Sequence, residues 1–146
     1  MATFVLFDEF GSDLGKAVHN FSSHQLRLAL VASANAPVQT TNATLSDLTQ
    51  IGSGTGYTTG GVDLTGESWA ETSAGSGTWK LVTDDYTFTA SGGGMGPFRY
   101  VVLFTQTATN QPVIGYLDYG QDITVQSGNT FLVDVGTSGW FQIPIT

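Results

Sequence analysis

Residues 97–135 read PFRYVVLFTQTATNQPVIGYLDYGQDITVQSGNTFLVDV, and this stretch predicts how the chain folds. Its first part alternates with a period of two, as a β-strand does and a helix does not. One face would carry Phe98, Tyr100, Val102 and Phe104, and the other Arg99, Val101, Leu103 and Thr105. Because the second face is also half apolar, we predict that a strand at Phe98–Gln106 lies in the middle of a sheet.

The remainder of this stretch predicts three more strands in an antiparallel meander. Candidate strands at Val113–Asp118 and Gln121–Val125 are separated by Tyr119 and Gly120. The sequence Ser-Gly-Asn at 127–129 is typical of a hairpin connection and leads into a strand at Thr130–Val135.

Towards the N-terminus, the pattern predicts one helix and one further strand. Apolar residues recur at steps of three and four, and acidic residues at 8 and 9 suit the first turn of a helix, so we predict an amphipathic helix at Phe4–Ala17. Residues 24–33 alternate as a strand that would pair inside the main sheet.

The middle of the chain predicts turns and short strands. Thr44–Asp47 matches a capping box that opens one helical turn through Ile51, and the glycine-rich residues 52–61 predict a loop that packs tightly against a neighbour. A phosphate-binding interpretation of GSGTG lacks a strand-loop-helix context and a following lysine. Short strands are predicted at Val62–Leu64, Trp69–Thr72, Thr78–Thr83, Tyr86–Ala90 and, at an edge, Gly139–Ile145, with a flexible connection at Ser91–Pro97.

These elements add up to ten short candidate strands and one or two short helices. That count is typical of an antiparallel β-sandwich or jelly roll, here with a short N-terminal helix. A length of 146 residues fits a single domain spanning 1–146.

Composition narrows the class of ligand and partner. Twelve acidic residues against four basic ones give a net charge of −8, so we expect no nucleic-acid partner. The chain has no cysteine, which excludes disulfides, thiolate catalysis and cysteine-bound zinc. No apolar run reaches the length of a membrane span and no export signal is evident, so we expect a soluble chain without a membrane partner.

Two histidines, three carboxylates and three tryptophans are the candidates for a metal, catalytic or ligand-binding site. His19 and His24 are five residues apart, which does not match paired metal ligands on a helix, and we predict neither a metal site nor a cofactor. Carboxylates at 118, 122 and 134 could approach one another as a glycosidase pair would, but the alternation places each facing outwards in an acidic chain. We therefore predict no catalytic residues and no enzyme activity.

The tryptophans offer an alternative. Trp69, Trp79 and Trp140 could form a platform that stacks on sugars, as in carbohydrate-binding modules on β-sandwiches. Trp79 alternates with Leu81 on a strand and Trp140 neighbours Phe141, so packing in a core or interface is the simpler interpretation.

Several stretches together resemble a family of small tailed-bacteriophage virion structural proteins. The matching stretches, in order along most of the chain, are FDEFGSDLGKAVHNFSSHQLRLALV at 7–31, GTGYTTGGVDLTG at 54–66, GPFRYVVLF at 96–104 and IGYLDYGQDITVQSGNTFLVDV at 114–135. The resemblance implies a capsid decoration (cement) protein that is assembled in the host cytoplasm and binds the major capsid protein. Because packaged DNA would repel so acidic a chain, we expect it on the outer surface of the head. The alternative that the resemblance implies is a minor tail or head-fibre component.

The apolar terminal segments 1–7 and 139–145 predict where partners bind. Edge strands with few charges can pair with another chain, and soluble oligomers are closed and symmetric, so we predict an oligomer, a trimer being the form that suits sites of local threefold symmetry on a shell. The candidate oligomer or capsid contacts are Phe4, Phe7, Tyr57, Trp140, Phe141 and Ile143.

Overall fold

A computed structural model describes residues 2–145, and over this range ten strands and one α-helix follow one another along the chain. The elements are β1 (Thr3–Leu6), α1 (Asp8–Gly15), β2 (Leu26–Val31), β3 (Val62–Asp63), β4 (Ser68–Glu71), β5 (Thr78–Val82), β6 (Tyr86–Thr89), β7 (Met95–Thr105), β8 (Val113–Val125), β9 (Thr130–Val133) and β10 (Phe141–Pro144). Short 3-10 turns lie at Ser33–Asn35 and Leu45–Asp47.

The predicted central strand is the centre of the largest sheet. This antiparallel sheet has the order β1-β8-β7-β2-β3, and β7 pairs with β8 between Met95 and Phe104 and with β2 between Tyr100 and Thr105. Residues 101–105 of β7 are fully buried because both faces of the strand are covered. The central position predicted from the apolar character of both faces is therefore confirmed, as is the pairing of β2 inside this sheet.

A second layer closes the sandwich over one face of this sheet. It consists of a three-stranded sheet, β10-β5-β4, and a two-stranded pair, β6-β9. Leu28, Leu103 and Leu117 from the large sheet pack with Leu81 and Phe88 from the second layer in one continuous core. The predicted mainly β fold, an antiparallel sandwich with a short N-terminal helix, is confirmed.

The opposite face of the large sheet is covered by connections instead of strands. Val31, Val102 and Phe104 form a smaller core there with Phe7, which precedes α1, and Leu45, which lies in a 3-10 turn. The Asp47 carboxylate accepts the N–H of Thr44 at 2.9 Å, so the capping box predicted from Thr44–Asp47 is present, although the turn ends at residue 47 and not at Ile51.

The prediction of a single helix at Phe4–Ala17 was wrong at both ends. Thr3–Leu6 is a strand because it pairs with β8 in the register Thr3 to Asp118 and Leu6 to Gly115, and tertiary pairing overrides the helical spacing of its apolar residues. The helix begins at Asp8 and ends at Gly15.

A bulge changes the predicted faces of β7. Tyr100 pairs with Asp118 and Phe98 pairs with Ile123, so residues 119–122 of β8 lie opposite the single residue Arg99. This shift moves Phe98 into the main core with Val101 and Leu103, whereas Tyr100 stays on the other face. The two strands predicted at Val113–Asp118 and Gln121–Val125 are one strand interrupted by this bulge.

The predicted hairpin at Ser127–Asn129 was also wrong. Asn129 donates to Gln126 in a tight turn, but β9 then pairs with β6 and not with β8. The chain therefore crosses from one layer of the sandwich to the other at this point, which a local turn signal cannot indicate. The segment Ser91–Pro97 was predicted as a connection, yet β7 already begins at Met95.

The glycine-rich loop packs tightly, as predicted. A Cβ added to Gly56, whose φ is +103°, would lie 2.1 Å from the Thr89 carbonyl oxygen. The hydroxyl of Tyr57 donates to the Gln50 side chain and accepts the N–H of Leu30, which fixes the loop to β2.

Candidate functional site

The positive charges of the chain are all engaged in contacts within it. The two lysines make contacts at the surface, and the two arginines pair with carboxylates on neighbouring strands. Lys16 lies 3.9 Å from Glu9, Lys80 donates to the Thr137 carbonyl at 2.7 Å, Arg27 pairs with Asp63, and Arg99 pairs with Asp118. Within residues 2–145, most of the twelve aspartate and glutamate side chains have no lysine or arginine partner, so the charge that remains at the surface is acidic.

The carboxylate at Asp118 is a structural group of the bulge. Arg99 donates to its two oxygens at 2.8 and 3.1 Å, and the Gly120 N–H donates at 2.8 Å. These bonds hold the pKa of Asp118 below its usual range, the Arg99 bond contributing most. Asp122 is exposed on the same strand, whereas Asp134 follows β9 in the other layer. The three carboxylates that were weighed as a possible glycosidase pair are therefore distributed over two layers.

His19 is a buried group of the fold. Its Nδ1 lies 2.7 Å from Thr105 Oγ1, and its Nε2 lies 3.7 Å from Asp13 Oδ2 without a hydrogen bond. Phe10 and Phe21 enclose the ring at centroid distances of 5.2 and 5.8 Å. Burial lowers the pKa of His19 to about 4, and burial also raises the pKa of Asp13.

The two histidines do not come together as ligands. His24 Nδ1 instead accepts the backbone N–H of Asn20 at 3.2 Å. Within residues 2–145, no three His, Asp or Glu side chains are grouped closely enough to hold a metal ion.

The three tryptophans do not form one platform. Trp140 is buried and donates from Nε1 to Thr83 Oγ1 at 3.0 Å. Trp69 and Trp79 are half-buried on adjacent strands, with their rings 6.2 Å apart and 21° from parallel. Trp69 is the tryptophan that lines a surface groove among the residues described.

The six predicted contact residues divide into two groups. Phe7, Tyr57 and Trp140 are buried within the chain, where their rings fill the two cores, and so they present no surface to a partner. The other three, Phe4 on β1 together with Phe141 and Ile143 on β10, are half-buried.

These half-buried residues mark one side of the sandwich, which we call the open side and define as β1, β10 and Ile145. β1 ends the five-stranded sheet and β10 ends the three-stranded sheet. The rings of Phe4 and Phe141 stack with centroids 6.3 Å apart and planes 5° apart, so the two edge strands lie close together. Neither strand carries a charged residue, and Ile145 is 67% exposed.

A surface groove lies where the segment after α1 meets β4. One part of the groove, of about 530 Å³, is lined by Leu14, Ala17, His19, Asn20, Phe21, Ser22, Glu67 and Trp69. The adjoining part, of about 240 Å³, shares Phe21, Ser22 and Glu67 with it and continues past His24 to Thr107. We call the two parts together the Trp69 groove.

Sequence reasoning did not find this groove. Its walls come from residues 14–25, 67–69 and 107, which share no local spacing and are brought together by the fold. The one residue of the groove that the sequence indicated as a sugar-stacking ring was Trp69, and it was grouped with Trp79 and Trp140, which do not line the groove.

Comparison of the chain with protein-family models, with curated proteins and with solved structures found no match. Over residues 2–145, no helix has the length and apolar character needed to cross a bilayer.

Proposed function

We propose that this chain is a structural component of a bacteriophage virion, a capsid decoration (cement) protein that binds the major capsid protein on the outer surface of the head. The observation that carries the proposal is the open side. It places two uncharged strand edges and three apolar side chains together, and an unprotected strand edge is a surface to which another chain can add.

The charge distribution supports a position outside the shell. Packaged DNA is a dense array of negative phosphates, and binding it requires free lysine or arginine side chains. Here the net charge is −8 and the four basic side chains have contacts within the chain. An acidic protein of this kind is repelled by DNA and is compatible with the outer face of a capsid.

The proposed mechanism is stabilisation by binding. A protein that binds assembled capsid subunits and not dissociated ones shifts the equilibrium towards the intact shell, without any chemical step. A trimer fits this role because its three copies match three capsid subunits around a local threefold axis. Closure into a ring also avoids the fibres that a repeating edge contact would form.

Ile145 provides a direct test of the open side. We expect Ile145→Asp to weaken self-association and capsid binding, because it places a charge in an apolar contact. Leu132→Asp on β9 is the matched control, since Leu132 is also an exposed large apolar residue, at 53%. Sedimentation equilibrium measures the oligomer, and co-sedimentation with capsids that lack the protein measures binding.

Two results would contradict this proposal. The first is a wild-type chain that stays monomeric at micromolar concentration and does not bind capsids. The second is loss of binding by Leu132→Asp with retention by Ile145→Asp, which would place the contact elsewhere. Immunogold labelling of virions distinguishes locations: label over the head supports the decoration role, and label confined to the tail supports the alternative of a minor tail component.

A further inference from the structure

The Trp69 groove has an apolar end and a polar end joined by shared residues. Leu14, Ala17 and Trp69 form the apolar end, and the polar end continues to His24, Gln25 and Thr107. We propose that this groove binds a neutral saccharide, stacked on Trp69 and hydrogen-bonded around Glu67. This binding activity is separate from the capsid contact assigned to the open side.

The ring of Trp69 is held in place by other rings. Phe21 lies 5.5 Å away at 42°, Phe141 lies 6.0 Å away at 46°, and Trp79 lies 6.2 Å away at 21°. A ring fixed by such neighbours loses little conformational freedom when a ligand binds. Sugar rings present apolar C–H faces, and a half-buried tryptophan offers them a flat apolar surface with large contact area.

The polar groups beside the ring match the hydroxyls of a sugar. Glu67 is half-buried and shared by both parts of the groove, and its Oε1 accepts from Gln25 Nε2 at 3.2 Å. This bond orients the carboxylate while Oε2 makes no hydrogen bond within residues 2–145. A carboxylate oxygen is a strong acceptor for hydroxyl donors.

Asn20 supplies the complementary donor. Its Oδ1 accepts both the N–H of Ser22 at 3.1 Å and the hydroxyl of Ser22 at 2.7 Å. Both bonds use the carbonyl end of the amide, so the NH₂ group is the part left to donate to a ligand. A donor and an acceptor next to an aromatic surface are what a ring bearing several hydroxyls needs for orientation.

Charge selects neutral sugars among the possible saccharides. Among the described residues 2–145, Glu67 is the one carboxylate that lines the groove, and no lysine or arginine lines it. With a net charge of −8 on the whole chain, uronic and sialic acids are repelled.

The test uses the whole chain with defined probes. Saturation-transfer nuclear magnetic resonance with lactose, maltose, cellobiose and N,N′-diacetylchitobiose, each at millimolar concentration, reports contact of sugar protons with the protein. A glycan array extends the panel to larger neutral oligosaccharides. We expect at least one neutral sugar to bind, and we expect sialyllactose to bind at least about tenfold more weakly than lactose if lactose is the ligand.

Variants assign the binding to the groove. We expect Trp69→Ala and Glu67→Gln each to weaken binding at least about tenfold, and Asp134→Asn, an exposed carboxylate outside the groove, to leave it unchanged. Asn20→Ala, at an exposed residue, tests the contribution of the amide NH₂ donor without removing an aromatic ring. If Trp69→Ala does not fold, Glu67→Gln and Asn20→Ala decide the matter.

The proposal is overturned if none of the sugars on the panel or array binds the wild-type chain. It is also overturned if Glu67→Gln and Asn20→Ala bind a sugar as the wild-type chain does. Recovery of a bound peptide that protects the groove, with no sugar binding, would assign the groove to a protein partner instead.

Discussion

The middle of the five-stranded sheet and the open side of the sandwich are built from similar residues but differ in how they are closed. In β7 and β2, apolar side chains on both faces are covered and both backbone edges are paired. At β1 and β10, aromatic rings from two layers also pack together, yet each strand has one edge at the end of its sheet. Apolar character alone therefore does not tell an interior strand from an edge strand.

The difference teaches where stability and interaction are located. Removal of a side chain from the paired middle leaves a cavity that its neighbours cannot fill, whereas a change at the open side alters a surface. The middle of the sheet should therefore control folding, and the open side should control association.

The largest expected effect on the free energy of unfolding comes from a substitution in the middle of the five-stranded sheet. Leu103→Ala removes a side chain with no exposed surface and should lower the free energy of unfolding by about 2–5 kcal/mol. Ile145→Ala on the open side should change it by less than about 0.5 kcal/mol. Urea unfolding followed by tryptophan fluorescence measures both, and equal losses would show that the two regions do not differ as described.

A second effect concerns His19, a buried residue whose ring packs between Phe10 and Phe21. Its pKa falls from 6.5 to about 4 on folding, so between these values the unfolded chain binds a proton that the folded chain does not. The free energy of unfolding should therefore fall as the pH drops from 6.5 towards 4, by up to about 3 kcal/mol. The raised pKa of Asp13 acts in the opposite direction and offsets part of this loss.

His19→Gln separates this group from the other acid-sensitive ones. We expect the variant to lose most of the decrease in stability between neutral pH and pH 4, while His24→Gln retains it. Urea unfolding at several pH values is the measurement. A His19→Gln chain with the same pH dependence as the wild type would assign the acid sensitivity to carboxylates.

The smallest expected effect tests whether tight packing extends from the strands to the glycine-rich loop. Gly56→Ala should lower the free energy of unfolding by about 1–2 kcal/mol, because its φ is +103° and its Cβ would meet the Thr89 carbonyl oxygen at 2.1 Å. Gly52→Ala is the control, since a Cβ at Gly52 meets nothing within 4 Å. Similar melting temperatures for the two variants would show that the loop moves to accommodate the Cβ and is not tightly packed.

Part of the candidate sites could be predicted from the sequence. The terminal segments were expected at contacts, and Phe4, Phe141 and Ile143 do lie half-buried on two edge strands. Phe7 and Trp140 have the same local character but are buried, because the packing of β1 against β8 and of β10 against β5 turns them inwards. The Trp69 groove was not predictable, since its walls come from segments far apart in the chain.

The sequence by itself determined most of the strands, because period-two alternation and turn residues act over a few positions and do not depend on distant partners. It therefore determined the mainly β class, the central place of β7 and the acidic surface. Only the tertiary structure decided that Thr3–Leu6 is a strand, that β9 pairs with β6, and that the bulge at 119–122 turns Phe98 inwards. Each of these depends on hydrogen bonds between distant segments, and such pairing competes with local preference and prevails when it buries more surface.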